Sequence, residues 1–167
     1  MQKGVTFLFF IVAILSCEKN FYPDDELSLP RTNFNGNSLR TDGVYYRSIN
    51  EDSAYVRLFL YNNGIVKFLF RSSEIEKDLH PPIDLKDMWG IFLVENNDIT
   101  IEEFVESNSP SYHVYTSHGM VINDTTFQLT ESYRLKKGEK TNHETINRIY
   151  HFHKYSPKPD SINEFIK

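Results

Sequence analysis

Between Tyr55 and Phe70 the chain sets two runs of strand-forming residues, YVRLFLY and IVKFLF, on either side of Asn62-Asn63-Gly64. Asn-Gly between β-rich runs is a strong hairpin signal, because a tight turn needs positive φ, which glycine adopts without steric cost. The spacing therefore predicts an antiparallel pair with Gly64 in the left-handed region. Both faces of the first run are apolar: Val56, Leu58 and Leu60 on one side, Tyr55, Phe59 and Tyr61 on the other. A sheet with one face in water alternates apolar with polar residues, so this hairpin is expected to be covered on both sides or to line a cavity.

The same rhythm recurs along the chain. Gly43–Ser48, Trp89–Glu95, Ile99–Val105, Ser111–Ile122, Thr126–Leu135 and His143–Tyr155 read as strands, with turns at Asn96-Asn97-Asp98, Asn123-Asp124 and the basic stretch Lys136–Lys140. About eight strands at this spacing define an all-β class. Joined in sequence, they predict a single antiparallel up-and-down meander, closed as a barrel or left as a strongly curved sheet; closure removes exposed edges. One stretch breaks the rhythm: SSEIEKDLH within 71–88 predicts a helical turn or two before Pro81-Pro82, as a short helix or lid around 72–88.

The first residues, MQKGVTFLFFIVAILSC, carry Lys3, an apolar run of 11 residues from Val5 to Leu15, and the only cysteine. A spanning helix needs ~20 apolar residues, so the run reads as a cleaved signal peptide over 1–16. Ile14-Leu15-Ser16-Cys17 resembles the lipobox of bacterial lipoproteins, which implies an acylated Cys17 holding the mature chain on a lipid bilayer. From 167 residues, removal of 16 leaves 151, enough for one domain. The chain carries a net charge of -5, and loss of Lys3 takes the mature part to -6. Nucleic-acid binders need a basic footprint, so that partner is not expected. With Cys17 committed to lipid, disulfides, zinc-thiolate sites and cysteine nucleophiles drop out together.

Residues 17–38, rich in Asn and Asp with two prolines, predict a lipidated N-terminus and tether; the alternative is an arm in which Phe21, Tyr22 and Phe34 pack back on the domain. The barrel domain is expected over 39–155, followed by a loose C-terminal tail over 156–167. The pieces DGVYY from Asp42, YNNGIV from Tyr61, WGIF from Trp89 and GMVINDTTF from Gly119 resemble small Bacteroidetes lipoproteins with a lipocalin-like (calycin) domain. The resemblance implies a lipid-anchored protein of the cell envelope, at the outer membrane, with a small apolar or amphipathic ligand in the barrel. Tyr46, Tyr55, Phe59, Tyr61 and Trp89 are the aromatic candidates to line that site, against the alternative that they are core. A second functional reading is a structural or assembly lipoprotein that docks on another envelope protein and holds no ligand.

No catalytic motif is present: no Gly-x-Ser-x-Gly, no phosphate-binding glycine loop and no histidine metalloprotease signature. The chain is therefore read as not an enzyme, without cofactor. His151 and His153 share a strand face with His113 and His118 elsewhere, but no carboxylate or thiol joins them at ligand spacing, so no metal is expected. Glu102 and Glu103 are neighbours on a strand and must face opposite ways, which rules out an acid-base pair. Finally, Asp52-Ser53-Ala54, Asp124-Thr125-Thr126 and Asp160-Ser161-Ile162 resemble the O-glycosylation acceptor motif of Bacteroidetes envelope proteins, implying sugar on Ser53, Thr125 and Ser161. The alternative is that these pairs are ordinary turn formers.

Overall fold

A computed structural model describes residues 24–49, 54–107, 111–136 and 139–167. Eight strands follow one another as β1 (Gly43–Ser48), β2 (Tyr55–Leu60), β3 (Ile65–Ser72), β4 (Trp89–Glu95), β5 (Asp98–Glu106), β6 (Tyr112–Asn123), β7 (Thr126–Lys136) and β8 (Glu139–Lys154). Each pairs antiparallel with the next, and β1 closes the barrel on β8 through Gly43↔Lys154, Val44↔His153, Tyr45↔Phe152 and Tyr46↔His151. This is the all-β up-and-down barrel expected from the strand spacing. The turns behave as their residues require. Gly64 has φ +78° and its N–H donates to the Tyr61 carbonyl, while Asn96 and Asn97 both take positive φ between β4 and β5.

Strand alternation sorts the apolar side chains into two clusters. One draws Tyr45, Leu58, Leu60, Val66, Phe92, Ile99, Ile101, Phe127, Leu129 and Tyr150 together with Val121, so every strand contributes and the cluster is the barrel interior. The other lies on the outer wall, where Val44, Phe59, Tyr61, Ile65, Leu69, Trp89, Ile91 and Phe104 are roofed by segments outside the sheet: Leu27 and Leu29, Ile75 and Leu79, Tyr155, Phe165 and Ile166. The doubly apolar hairpin is thereby explained. One face fills the barrel and the other lies beneath the chain's own straps.

Three expectations change on folding. A short helical turn does fall within 72–88, but among the described residues it is a 3₁₀ turn at Lys86–Met88, after the prolines rather than before them, and the stretch 73–85 forms no helix. The buried Arg57 guanidinium takes the carbonyls of Glu74, Ile75 and Lys77, which a helix would have needed for itself, while Leu79 sinks into the outer cluster. Residues 24–38 are not a free tether. Asp25, Leu27 and Leu29 turn inward in alternation, Asp25 accepts from Arg134 at 2.7 and 2.9 Å, and Phe34 packs on Phe92 with ring centroids 5.6 Å apart. Nor is the tail loose: Lys158 donates to the Thr41 and Leu60 carbonyls at 2.5 and 2.8 Å, and Ile166 is buried in the outer cluster. The signal peptide and Cys17 lie outside the described residues, as does Ser53. Among the described residues no helix is long and apolar enough to cross a membrane.

Candidate functional site

The barrel interior is filled at one end and open at the other. At the end that holds the β2–β3, β4–β5 and β6–β7 turns, Tyr45, Leu60, Phe92, Ile99 and Phe127 are between 0 and 1 % exposed. Phe127 and Tyr150 stack there with centroids 4.9 Å apart at 13°, and Tyr45 packs on Phe127 at 5.2 Å. Residues 32–40 close this end from outside: the Phe34 N–H donates to the Asn62 carbonyl, and Leu39, 3 % exposed, joins the interior cluster. Nothing further fits on this floor.

One level up, the inward positions turn polar. Arg47 continues the face of Tyr45 on β1, Glu103 that of Ile101 on β5, and Arg148 that of Tyr150 on β8; directly paired residues share a face, so Tyr115, opposite Glu103, also points inward. Arg47, Val56, Phe68, Glu103, Tyr115 and Arg148 all keep accessible surface; Glu103 and Tyr115 are paired on both sides, whereas Arg47 and Arg148 stand just past the last β1–β8 pair, Tyr46↔His151, and Phe68 just past the last β3–β4 pair, Lys67↔Trp89. The interior here is a cup. Its polar ring sits on the aromatic floor, with Arg47 Nε donating to the Tyr150 hydroxyl at 3.2 Å and its guanidinium carbon 5.7 Å from that ring's centroid. Deep placement in the barrel pushes the Glu103 carboxyl up to about 7, against the opposing pull of Arg148 and Arg47. Among the described residues neither Glu103 nor Arg148 has a side-chain hydrogen bond or ion pair, so the ring holds two guanidiniums and one carboxyl that do not neutralise one another by contact.

The five aromatic candidates lie elsewhere. Tyr46, Tyr55, Phe59, Tyr61 and Trp89 all belong to the outer wall: Phe59 and Trp89 are 0 % exposed within the outer cluster, and Tyr61 is 5 % exposed beneath Lys158, whose ammonium lies 4.2 Å from its ring centroid. Tyr46 and Tyr55 meet edge to face at 5.7 Å on the outer surface of β1 and β2. Burial raises the Tyr61 phenol well above its ordinary range and pulls the Lys158 ammonium down to about 8. Trp89 is roofed by the Lys67 ammonium at 4.4 Å, itself bound to Asp84 at 2.6 Å. Phe59, Tyr61 and Trp89 lie beneath the straps, and none of the five faces the cup.

The remaining candidates scatter. His118 meets Thr100 at 2.9 Å and Tyr133 at 2.7 Å, His143 meets Glu131 at 3.0 Å, His153 meets Glu76 at 2.6 Å, and His113 lies 3.7 Å from Asp25. Among the described residues no group of three possible metal ligands comes together. Thr125 donates to Asn123 Oδ1 at 2.8 Å within its own turn, whereas the Ser161 hydroxyl ties the tail to the β2–β3 turn by accepting from Asn63 at 2.9 Å, and Asp160 caps the Ile162 N–H at 3.0 Å. A groove of roughly 650 Å³ beside Ser161, lined by Thr41, Asp42, Asn62, Lys154 and Lys158, has its Lys158 ammonium already satisfied by backbone carbonyls. Glu102 and Glu103 split as their spacing demands: Glu103 faces the cup, and Glu102, 1 % exposed, accepts from Ser28 and Leu29 of the N-terminal arm.

Comparison of the chain with protein-family models, curated proteins and solved structures finds no match. The polar ring therefore has to be read from its own chemistry. Sequence reasoning missed Arg47 and Arg148 because a charged residue in a strand ordinarily faces water. The available signal was the parity of each with an interior aromatic two positions away, Tyr45 and Tyr150.

Proposed function

We propose that this protein is a membrane-anchored envelope lipoprotein whose barrel cups a small amphipathic molecule. The observation that carries this reading is the half-filled interior: a packed aromatic floor within the closed sheet, then a ring of inward polar groups with accessible surface at the barrel's open end. Small eight-stranded barrels have room for one small ligand when side chains leave the interior incompletely filled. An apolar wall with a few convergent polar groups suits an amphiphile rather than a wholly polar or wholly apolar molecule.

The path of the arm supports the same reading. Asp24 and Asp25 are held at the open end, where Asp24 accepts from the Tyr112 N–H at 2.9 Å and Asp25 from the Val114 N–H at 3.2 Å. Six residues separate Cys17 from Asp24, a contour of at most ~25 Å. An acylated Cys17 would then keep the cup's mouth beside the bilayer that supplies amphiphiles. Native mass spectrometry of the protein purified from its own envelope is the test. A retained amphiphile at near one-to-one ratio is expected, whereas a mass of polypeptide plus acyl chains alone, with no uptake of added amphiphiles, would overturn the reading.

A second reading, docking on an envelope protein, has its own observation. Met120, Gln128 and Ile149 sit side by side across β6, β7 and β8 on the outer wall, and Met120 and Ile149 are 51 and 38 % exposed, with Ile122 a further 51 %. Crosslinking in cells from Ile149→Cys should give one discrete partner band if this row is an interface, and a ladder or no product if it is not.

A further inference from the structure

Two guanidiniums share the inward face at the open end of the barrel, Arg47 donating to Tyr150, and among the described residues neither touches a carboxylate. Arg47 and Arg148 stand on adjacent strands, β1 and β8, and share the inward face beside Tyr150: Arg47 lies across from it and donates to its hydroxyl, and Arg148 lies two positions along β8. Glu103 faces them from β5, three strands from β8 and four from β1 around the ring, so it lies across the lumen rather than beside them. Charges taken out of water are costly unless paired in good geometry. Guanidinium groups pair best with a planar or tetrahedral oxyanion that accepts two bonds at once.

We propose that the Arg47–Arg148 side of the cup binds the head of a single-chain amphiphile carrying one negative charge, a carboxylate, with Glu103 facing that head from the opposite wall. The inference rests on the reading of the interior as an amphiphile cup and names what that cup selects. The head goes in first, because the polar ring lies directly on the packed floor; no space for a chain exists below it. The tail then runs outward past Val105, Tyr115 and Ile146, the partly accessible inward residues nearer the mouth. One chain suffices to fill a barrel of this size.

Charge balance assigns Glu103 its part. With Glu103 ionised, the ring carries a net single positive charge, and a bound monoanion neutralises it but meets the carboxylate across the lumen. With Glu103 protonated, that repulsion is gone and its O–H is a donor. Facing Glu103 among the described residues are Tyr115 on β6, Arg47 on β1 and Arg148 and Tyr150 on β8, while β4 presents Gly90; nearer the mouth the same face carries His113 on β6 and Arg134 on β7, both beside Asp25 of the arm, which holds Arg134 in an ion pair, and Glu144 is exposed at the rim. Binding of an anionic head therefore takes up a proton, and affinity rises as pH falls from about 8 to about 6, a range in which a carboxylate head stays ionised.

The test uses the full chain reconstituted in phosphatidylcholine vesicles, with dansylaminoundecanoic acid as probe and the corresponding alcohol and amine as comparators. Trp89 is the only tryptophan, so energy transfer to the dansyl group counts probe held by the protein; free concentrations are corrected for partition into protein-free vesicles. The acid is expected to bind about tenfold or more tighter than the alcohol. The double variant Arg47→Met/Arg148→Met should abolish that preference while leaving alcohol binding intact, which also reports that the barrel is still folded. Glu103→Gln should keep the preference and flatten the pH dependence. Equal binding of acid and alcohol by the unmodified chain overturns this inference and leaves the amphiphile cup standing. Tightest binding of the amine overturns it in favour of Glu103 as the head-group site. No binding of any of the three overturns both readings.

Discussion

Gly64 illustrates how a residue chosen for one reason acquires a second. Its φ of +78° suits the hairpin turn, and a Cβ placed there would lie 2.3 Å from the Thr32 carbonyl of the arm that crosses it. Gly64→Val must therefore strain the turn and displace the arm together, and a loss of about 2 kcal/mol or more is expected. Thermal unfolding checks this; a melting temperature equal to that of the parent would show that both constraints are relieved. Glu103 makes the opposite case, a residue kept at a cost to stability. Its folded pKa, about 7, lies above the ordinary carboxyl value of 4.5 because burial disfavours the charge. A raised carboxyl pKa means that the folded chain binds the proton more tightly. Its contribution is most favourable below the unfolded value and is lost as pH rises from about 4.5 through about 7. Glu103→Gln should accordingly stabilise the protein by ~1–3 kcal/mol at about pH 8 and by much less at about pH 5. Denaturant melts at the two pH values decide it, and an equal effect at both would sink the argument.

Among the elements, the N-terminal arm does most to shape the molecule beyond its barrel. It crosses the outer wall with Glu102 as its central fastening: Ser28 N and Oγ donate at 2.6 and 2.5 Å, and Leu29 N at 2.9 Å, to one carboxylate that also accepts from Thr116 at 3.3 Å. Glu102→Ala leaves these donors unpaired and should cost roughly 1–3 kcal/mol. It should also expose the bond after Arg31 to trypsin, and an unchanged digestion rate would show that the arm is held by Leu27 and Leu29 alone. The arm's other fastening is acid-sensitive. Burial works against the charge on Asp25, but its bonds from Arg134 and the Val114 N–H outweigh that and bring its pKa below the ordinary range. A depressed pKa gives stability that is complete above the unfolded value near ~3.9 and is lost as pH falls through the folded one. Hydrogen-exchange protection of the Ser28 and Leu29 amides, corrected for intrinsic rates, should thus fall in the parent below about pH 4, whereas in Asp25→Asn it should already be reduced at neutral pH.

At the scale of the whole molecule, the arm's exit point gives the barrel a direction. Leu135 lies near the open end of β7, and Asn96 lies in the turn beyond the packed floor. If an acylated Cys17 anchors the chain by a segment of at most ~25 Å, a fluorophore on Leu135→Cys should be quenched by nitroxide-headgroup lipids far more than one on Asn96→Cys. Equal quenching would mean that the mouth does not face the bilayer. Cys17→Ser should remove the protein from the membrane fraction altogether, and continued partition with lipid in detergent phase separation would overturn the anchor.

The strands, their order and the tightest turns were legible in the chain because each depends on neighbours in sequence: alternation along a pleat, and asparagine or glycine where φ must be positive. The boundary Trp89–Glu95 and the left-handed Gly64 are read directly from such local rules. What lies outside the strands was decided by partners far away in the sequence. Glu102 recruits Ser28 and Leu29, Arg57 captures the carbonyls that would have begun a helix after Ser72, and Lys158 ties the tail to Thr41 and Leu60. The cup was hidden for the same reason. Alternation shows that Tyr55 and Leu58 face opposite ways, but which face is inside depends on closure of β1 onto β8. Only that closure turns Arg47, Glu103 and Arg148 inward together and leaves Trp89 and its aromatic neighbours on the outer wall beneath the straps.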